Sequence, residues 1–340
     1  MKTFVRVTIT MAALLLMTCA VVADPLPGQV LKFSQKPMID TSIPQPDGTT
    51  KIYYGHDELS TAVWDKTPGS APVYNGRFMA DDFADKFDRE VVHVRWWGSY
   101  MNGLSSAIGV TKFLIAFERD VPADAPNNRY DFSHPDCVYE GSDPPHTQIS
   151  TLDMDGGLTP REGTFTVKPM PGSNPNEPVY EYNAELFSPF PQAADTVYWL
   201  KIVALVDHDP QQIPNEEPLQ WGWHNRDYTI FDPLASPNVV PGERDVSDPT
   251  NNFPIWHFQD DAVSGAINNI SMQDAFYVHM DQDDSGNSLV AEHYKDFLDG
   301  PYGIGQYSKD LAFQLYTVPE PSTLTLLGLG ALALLLQRRK

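Results

Sequence analysis

Apolar residues along this chain recur with a period of two more often than with the period of a helix. The stretch EVVHVRWWGSY, Glu90–Tyr100, is the plainest case. Val92, Val94, Trp96 and Tyr100 fall on one side of an extended backbone, and Val91, His93, Arg95, Trp97 and Ser99 on the other. Similar β-branched and aromatic runs predict strands over Lys51–Glu58, Lys112–Val121, Thr164–Met170, Val179–Phe187, Thr196–Asp207, Pro218–Asn225, Phe253–Val263, Asp274–Met280 and Asp310–Thr317. Between them lie segments such as SDPPHTQ and PGSNPNEP, rich in residues that favour turns. One short helix is expected over AEHYKDFL, Ala291–Leu298, stopped by Gly300-Pro301. Many short strands punctuated in this way predict an all-β fold. The expected form is an antiparallel β-sandwich, jelly-roll-like, with long Pro- and Asp-rich loops. No internal repeat and no linker divides the middle, so Asp24–Thr317 reads as a single domain.

The two ends follow a different pattern. Residues 1–23 carry Lys2 and Arg6, then an apolar run from Val7 to Met17, then the small Ala23. These are the three parts of a secretory signal peptide, with cleavage expected after Ala23 by signal peptidase. Residues 318–340 begin Val318-Pro319-Glu320-Pro321. They continue into an apolar run from Leu324 to Leu336 and close on Gln337-Arg338-Arg339-Lys340. Pro319 and Pro321 keep the entry extended, and the cationic end holds the short apolar helix with its terminus in the cytoplasm. The Pro319-Glu320-Pro321 motif, the apolar stretch and the basic Arg338-Arg339 end together resemble the PEP-CTERM sorting signal. That resemblance implies an exosortase that cleaves near the motif. It also implies export across the inner membrane to the envelope, cell surface or extracellular exopolysaccharide matrix, with a transient C-terminal membrane anchor.

Composition sharpens this picture. The formal charge is −22. Setting aside the five basic residues and one acidic residue of the two ends leaves 18 basic against 44 acidic positions between them. Such a surface repels nucleic acid and anionic membrane. Cysteine occurs twice, at Cys19 within the leader and at Cys137, so the exported part has no internal disulfide.

Candidate chemistry is sparse. Trp97, with His93 and Arg95 on the same face, offers a flat ring beside polar groups, which suits a sugar. Trp221 and Trp223, two apart, can add a second ring; the same rings equally suit the wall of a core. The segment Asp281–Glu292 places oxygen donors at Asp281, Asp283, Ser285, Asn287 and Glu292, with Gly286 at the turn. That spacing matches a calcium loop, although the preceding run alternates like a strand, so any Ca2+ there would be structural. Asp81-Asp82 and Asp260-Asp261 are carboxylate pairs of the type a glycosidase needs, provided they face one another across a groove. Nucleophile-elbow, zinc-protease, P-loop and C-x-x-C motifs are absent.

Ala80-Asp81-Asp82-Phe83, Trp96-Trp97-Gly98-Ser99-Tyr100, Trp221-Gly222-Trp223, Asp260-Asp261-Ala262 and Asp310-Leu311-Ala312-Phe313, in that order, also resemble a group of uncharacterised exported bacterial β-sandwich proteins. The combined expectation is a non-enzymatic surface or matrix protein that binds polysaccharide through an aromatic face. A polysaccharide-cleaving hydrolase or lyase and a purely structural coat protein are the alternatives.

Overall fold

The alternating runs pair into sheet. The computed structural model describes residues 27–44, 47–66, 69, 73–101, 109–122, 125–126, 133–136, 148–156, 160–174, 177–209, 217–227, 230, 232–236, 262–271, 289–292, 295–296, 306–307 and 310–319. Among them the strands are, in order, β1 (Val30–Gln35), β2 (Thr41–Pro44), β3 (Thr50–Tyr53), β4 (Asp57–Leu59), β5 (Thr61–Asp65), β6 (Val73–Phe83), β7 (Val91–Tyr100), β8 (Lys112–Val121), β9 (His134–Pro135) and β10 (Gln148–Met154). They continue with β11 (Thr164–Pro169), β12 (Tyr180–Phe190), β13 (Tyr198–His208), β14 (Trp221–His224), β15 (Ala262–Ser271), β16 (Leu289–Glu292), β17 (Lys295–Asp296), β18 (Gln306–Tyr307) and β19 (Phe313–Thr317). The described residues contain no helix.

One sheet runs β1-β19-β7-β12-β11-β10-β8-β13-β5-β6-β15-β16, with β14 attached to β7 and β4 to β14. Its β10–β11 link is a short parallel pairing of Asp153 with Thr164 and Met154 with Phe165. Strands from both sides of that link share one apolar interior, as in a β-sandwich. Phe33, Val94, Trp96, Phe165, Tyr182 and Phe313 meet Met79, Phe113, Ile115, Phe117, Leu200 and Ile202 there. The ring of Trp96 stacks on Tyr182 at 5.4 Å and takes the edge of Phe113 at 5.2 Å.

Alternation explains which residues go in. On β13, Leu200, Ile202 and Ala204 enter that interior. Trp199, Val203 and Leu205 lie on the opposite face with Phe78 and Ala80 of β6 and Leu114 and Ala116 of β8, in a second buried cluster. Val91 breaks the alternation expected for β7. It joins the main interior, paired with Phe190 beyond the register shift of β12 between Glu185 and Phe190.

Two local expectations are corrected. Within the segment expected as a helix, the described residues Ala291–Glu292 and Lys295–Asp296 are strand, since Leu289–Glu292 pairs with Ala262–Gly265 and Lys295–Asp296 pairs with Gln306–Tyr307. Tertiary pairing has overridden the local helical tendency. The single run Lys51–Glu58 is two strands, split at Gly55, whose φ of 78° only glycine adopts readily.

Candidate functional site

The middle of β7 places the expected binding residues between two partner strands. His93 lies opposite Glu185 on β12 and Tyr316 on β19, and Arg95 lies opposite Asn183 and Gln314. Arg95 Nε donates to Asn183 Oδ1 at 2.8 Å and Nη1 to Gln314 Oε1 at 3.2 Å, with Glu181 Oε1 3.5 Å away. His93 Nδ1 lies 3.2 Å from Glu185 Oε2. Lys168 Nζ pairs with Glu181 at 2.9 Å. His93 and Arg95 therefore do share a face, as the alternation predicts, but their hydrogen bonds are spent within the protein.

Trp97 is only 3% exposed and packs on Val179 and Ala312, with Ile39 and Met170 beside them. Trp221 and Trp223 have no exposure at all. Trp221 Nε1 donates to Tyr182 Oη at 3.1 Å, and Trp223 Nε1 to the Ala312 carbonyl at 2.9 Å. The expectation that Trp97, Trp221 and Trp223 present ring faces to a ligand is corrected on this ground: a sugar cannot stack on a ring it cannot reach. They are core residues whose polar handles are mostly satisfied inside.

The glycines of the two tryptophan motifs have a packing reason. Gly98 of β7 pairs with Trp223 of β14. A Cβ on Gly98 would lie 2.3 Å from the Gly222 carbonyl oxygen and 2.4 Å from the Trp221 ring. A Gly98→Ala variant is expected to lose about 1–3 kcal/mol or more, because β14 must be pushed off β7. Chemical denaturation would read this as a lower midpoint; an unchanged midpoint would show that the strands are not so closely apposed.

Behind that junction sits a cluster that no local motif announces. Ser99 Oγ donates to Asp57 Oδ2 at 2.7 Å. His224 Nδ1 lies 3.0 Å from Asp57 Oδ1 and Nε2 3.1 Å from the Met38 carbonyl. Both ring nitrogens thus face acceptors, which favours the doubly protonated ring. Burial alone would lower the His224 pKa, but the Asp57 charge, its hydrogen bond and the Met38 carbonyl together raise it. Ser99 bonds to the acid and not to the imidazole, so the nucleophile–base contact of a hydrolytic triad is not made.

The acidic pair Asp81-Asp82 divides as strand alternation requires. Asp81 enters the main interior side, where its Oδ2 accepts from the Leu311 amide at 2.7 Å. Arg226 Nε lies 2.9 Å from Asp310 Oδ2 in the same region. Burial first, then the Asp310 charge, pushes Asp81 well above the usual carboxylate range. Asp82 points to the other face, fully buried, and neither of its oxygens has a hydrogen-bond partner among the described residues. Burial pushes it well up too. Two carboxyls on opposite faces of a strand cannot flank one scissile bond.

The expected calcium donors Asp281, Asp283, Ser285 and Asn287 lie outside the described residues, as do Asp260, Asp261, Ala23, Glu320, Pro321, Arg338, Arg339 and the apolar run from Leu324. Glu292 is described in backbone only, paired opposite Ala262. Among the described residues no group of His, Cys, Asp or Glu is arranged to hold a metal ion, and no helix is long and apolar enough to cross a membrane.

Comparison with known families places the chain. The model for a domain of unknown function, DUF7901, matches residues 31–274. The chain belongs to the DUF7901 family. Its match covers most of the sandwich, from β1 through β15. A second model, the PEP-CTERM protein-sorting motif, matches residues 317–340. This DUF7901 protein is therefore an exported protein sorted by an exosortase, with anchoring and cleavage at its C-terminal end. No curated protein and no solved structure matches the chain.

Proposed function

We propose that this DUF7901 protein is a non-catalytic structural component of the cell surface or exopolysaccharide matrix, a coat domain delivered by its sorting tail. The observation that carries the reading is the inward turn of Trp97, Trp221 and Trp223, which makes these three rings part of the packed sandwich. The separated Asp81 and Asp82, and Ser99 bound to Asp57, point the same way, away from hydrolysis.

The test uses the exported protein purified from its producer. It is incubated with the producer's own exopolysaccharide and a set of insoluble glycans; protein in the pellet and reducing ends in solution are both measured. The expected result is neither retention nor release, together with self-association that grows with concentration in sedimentation. Retention that a folded Trp97→Ala variant loses would restore the glycan-binding reading. Release of reducing ends would restore a hydrolase or lyase.

A further inference from the structure

The outer face of the β8–β13 pair carries an ion pair that the fold has sealed from water. Lys201 sits in the middle of β13, opposite Ala116 of β8, and Glu118 lies opposite Trp199 two residues along. Their side chains are 1% and 3% exposed. Lys201 Nζ donates to Glu118 Oε1 and rests over the ring of Phe78, 4.7 Å from its centroid. Nothing else among the described residues receives a proton from that ammonium. Glu118 Oε2 is buried without any hydrogen-bond partner.

A second buried lysine shows how differently such a pair can be built. Lys32 Nζ donates to Asp85 Oδ1 at 3.0 Å and to the Phe87 carbonyl at 2.9 Å. Asp85 also accepts from the Phe87 amide at 2.7 Å and from Gln192 Nε2 at 3.1 Å. There the charges are surrounded by partners and the pair is a finished salt bridge. At Lys201 and Glu118 they are not. Two charges out of water with unfilled hydrogen-bonding capacity are costly.

We propose that Lys201 and Glu118 condense into an intramolecular amide that staples β8 to β13. The atoms balance without an oxidant or cofactor. The Lys201 ammonium passes a proton to the carboxylate, and the freed Nζ electron pair attacks Glu118 Cδ. The N–C bond forms, the bond from Cδ to the protonated oxygen breaks, and that oxygen leaves as water with the second nitrogen proton. One N–H and one C=O remain where two charges stood: Oε1, the oxygen that Lys201 contacts, leaves as water, and Oε2 stays as the neutral amide oxygen. Burial already pushes the Glu118 carboxyl above its usual range, toward the protonated form from which water can leave. Water shed into solution does not readily return through the packed face, so hydrolysis is disfavoured. The staple would close a loop between positions 83 residues apart, in an exported chain whose one remaining cysteine allows no internal disulfide.

The test is the mass of the purified, fully denatured chain, corrected for whichever termini it carries. The wild type is expected about 18 Da below its sequence mass, one water lost. Trypsin should release no free Phe113–Arg119 peptide, which stays joined through Glu118 to the segment around Lys201. A Lys201→Arg variant, which keeps the cation but not the amine, should have full mass and release that peptide. Wild type at full sequence mass overturns the proposal, whether or not the variant folds. So does a deficit that maps to another pair, such as Lys32 with Asp85. Because the readout is mass, neither result depends on whether the domain binds glycan.

Discussion

An Arg226→Met variant is expected to melt on the order of 10 °C below the wild type in mildly alkaline buffer, corresponding to about 3–5 kcal/mol. Arg226 is the cation beside Asp310, and its charge lowers the Asp81 pKa against the larger effect of burial. Methionine fills similar volume without the charge, so the loss is that of the compensating cation. What remains is Asp81 beside Asp310, both fully buried, without that cation. The expected loss should shrink in acid, where Asp81, raised by burial, is protonated and needs no counter-charge. The wild type shares the sign. Asp81 and Asp82 are raised when folded, and Asp120 rises to about 6 by burial, against its hydrogen bond from Trp199. The folded state thus holds protons that the unfolded chain releases. Their contribution is complete below the unfolded carboxylate pKa near ~4 and is lost as pH rises through the folded values. His224, also raised, adds a loss of the same sign above about pH 6.5. Melting temperatures taken across this range should fall with rising pH, and fall more steeply in Arg226→Met. A variant as stable as wild type in alkali, or one whose deficit persists in acid, would show that Arg226 does not compensate these acids.

Much of this architecture was legible because strand alternation is a local signal. Lys112–Val121 forms a strand at the bounds its sequence predicts, and the inward choice of Val94 and Trp96 follows from period alone. β6 is among the longest strands, yet its sequence does not announce it, because Asn75-Gly76 and Asp81-Asp82 look like turn chemistry. Gly76 is there because a Cβ would lie 2.1 Å from the Thr61 carbonyl oxygen, a requirement set by β5 and invisible in the local sequence. The candidate site failed for a related reason. Alternation shows that Trp97 lies opposite Trp96, but not that Val179 and Ala312 cover the second face as well. A two-sided strand reads as one-sided unless its covers are known. The Asp57, Ser99 and His224 cluster is assembled from three separate strands, and no spacing announces it. Lys201 alone left a trace. It is a charge in the middle of YWLKIVALV, at a position whose neighbours two away, Trp199 and Val203, are apolar.

Trp96 and Trp97 offer the cleanest measure of that difference, since they are the same residue type one position apart. Trp96→Ala is expected to cost about 3–5 kcal/mol, a large share of the roughly 5–15 kcal/mol that holds a domain folded. The side chain has no exposure, and its strand is gripped on both sides, by Tyr182 of β12 and Phe313 of β19. Removing it strips the Tyr182 stack and the Phe113 edge contact together, and Phe165 loses a neighbour at 6.2 Å. Such pairs add about 0.5–1.5 kcal/mol beyond the area they bury. Trp97→Ala leaves a gap only among Val179, Ala312, Ile39 and Met170, a small cluster near the surface that can relax inward. It should cost distinctly less. Guanidinium midpoints followed by far-ultraviolet circular dichroism would rank the two, with Trp96→Phe as the measurable substitute if the alanine variant does not fold. An equal or larger loss for Trp97 would mean that the sandwich interior lies on the other face of β7. The burial that removes Trp97 from a binding role would then have to be redrawn with it.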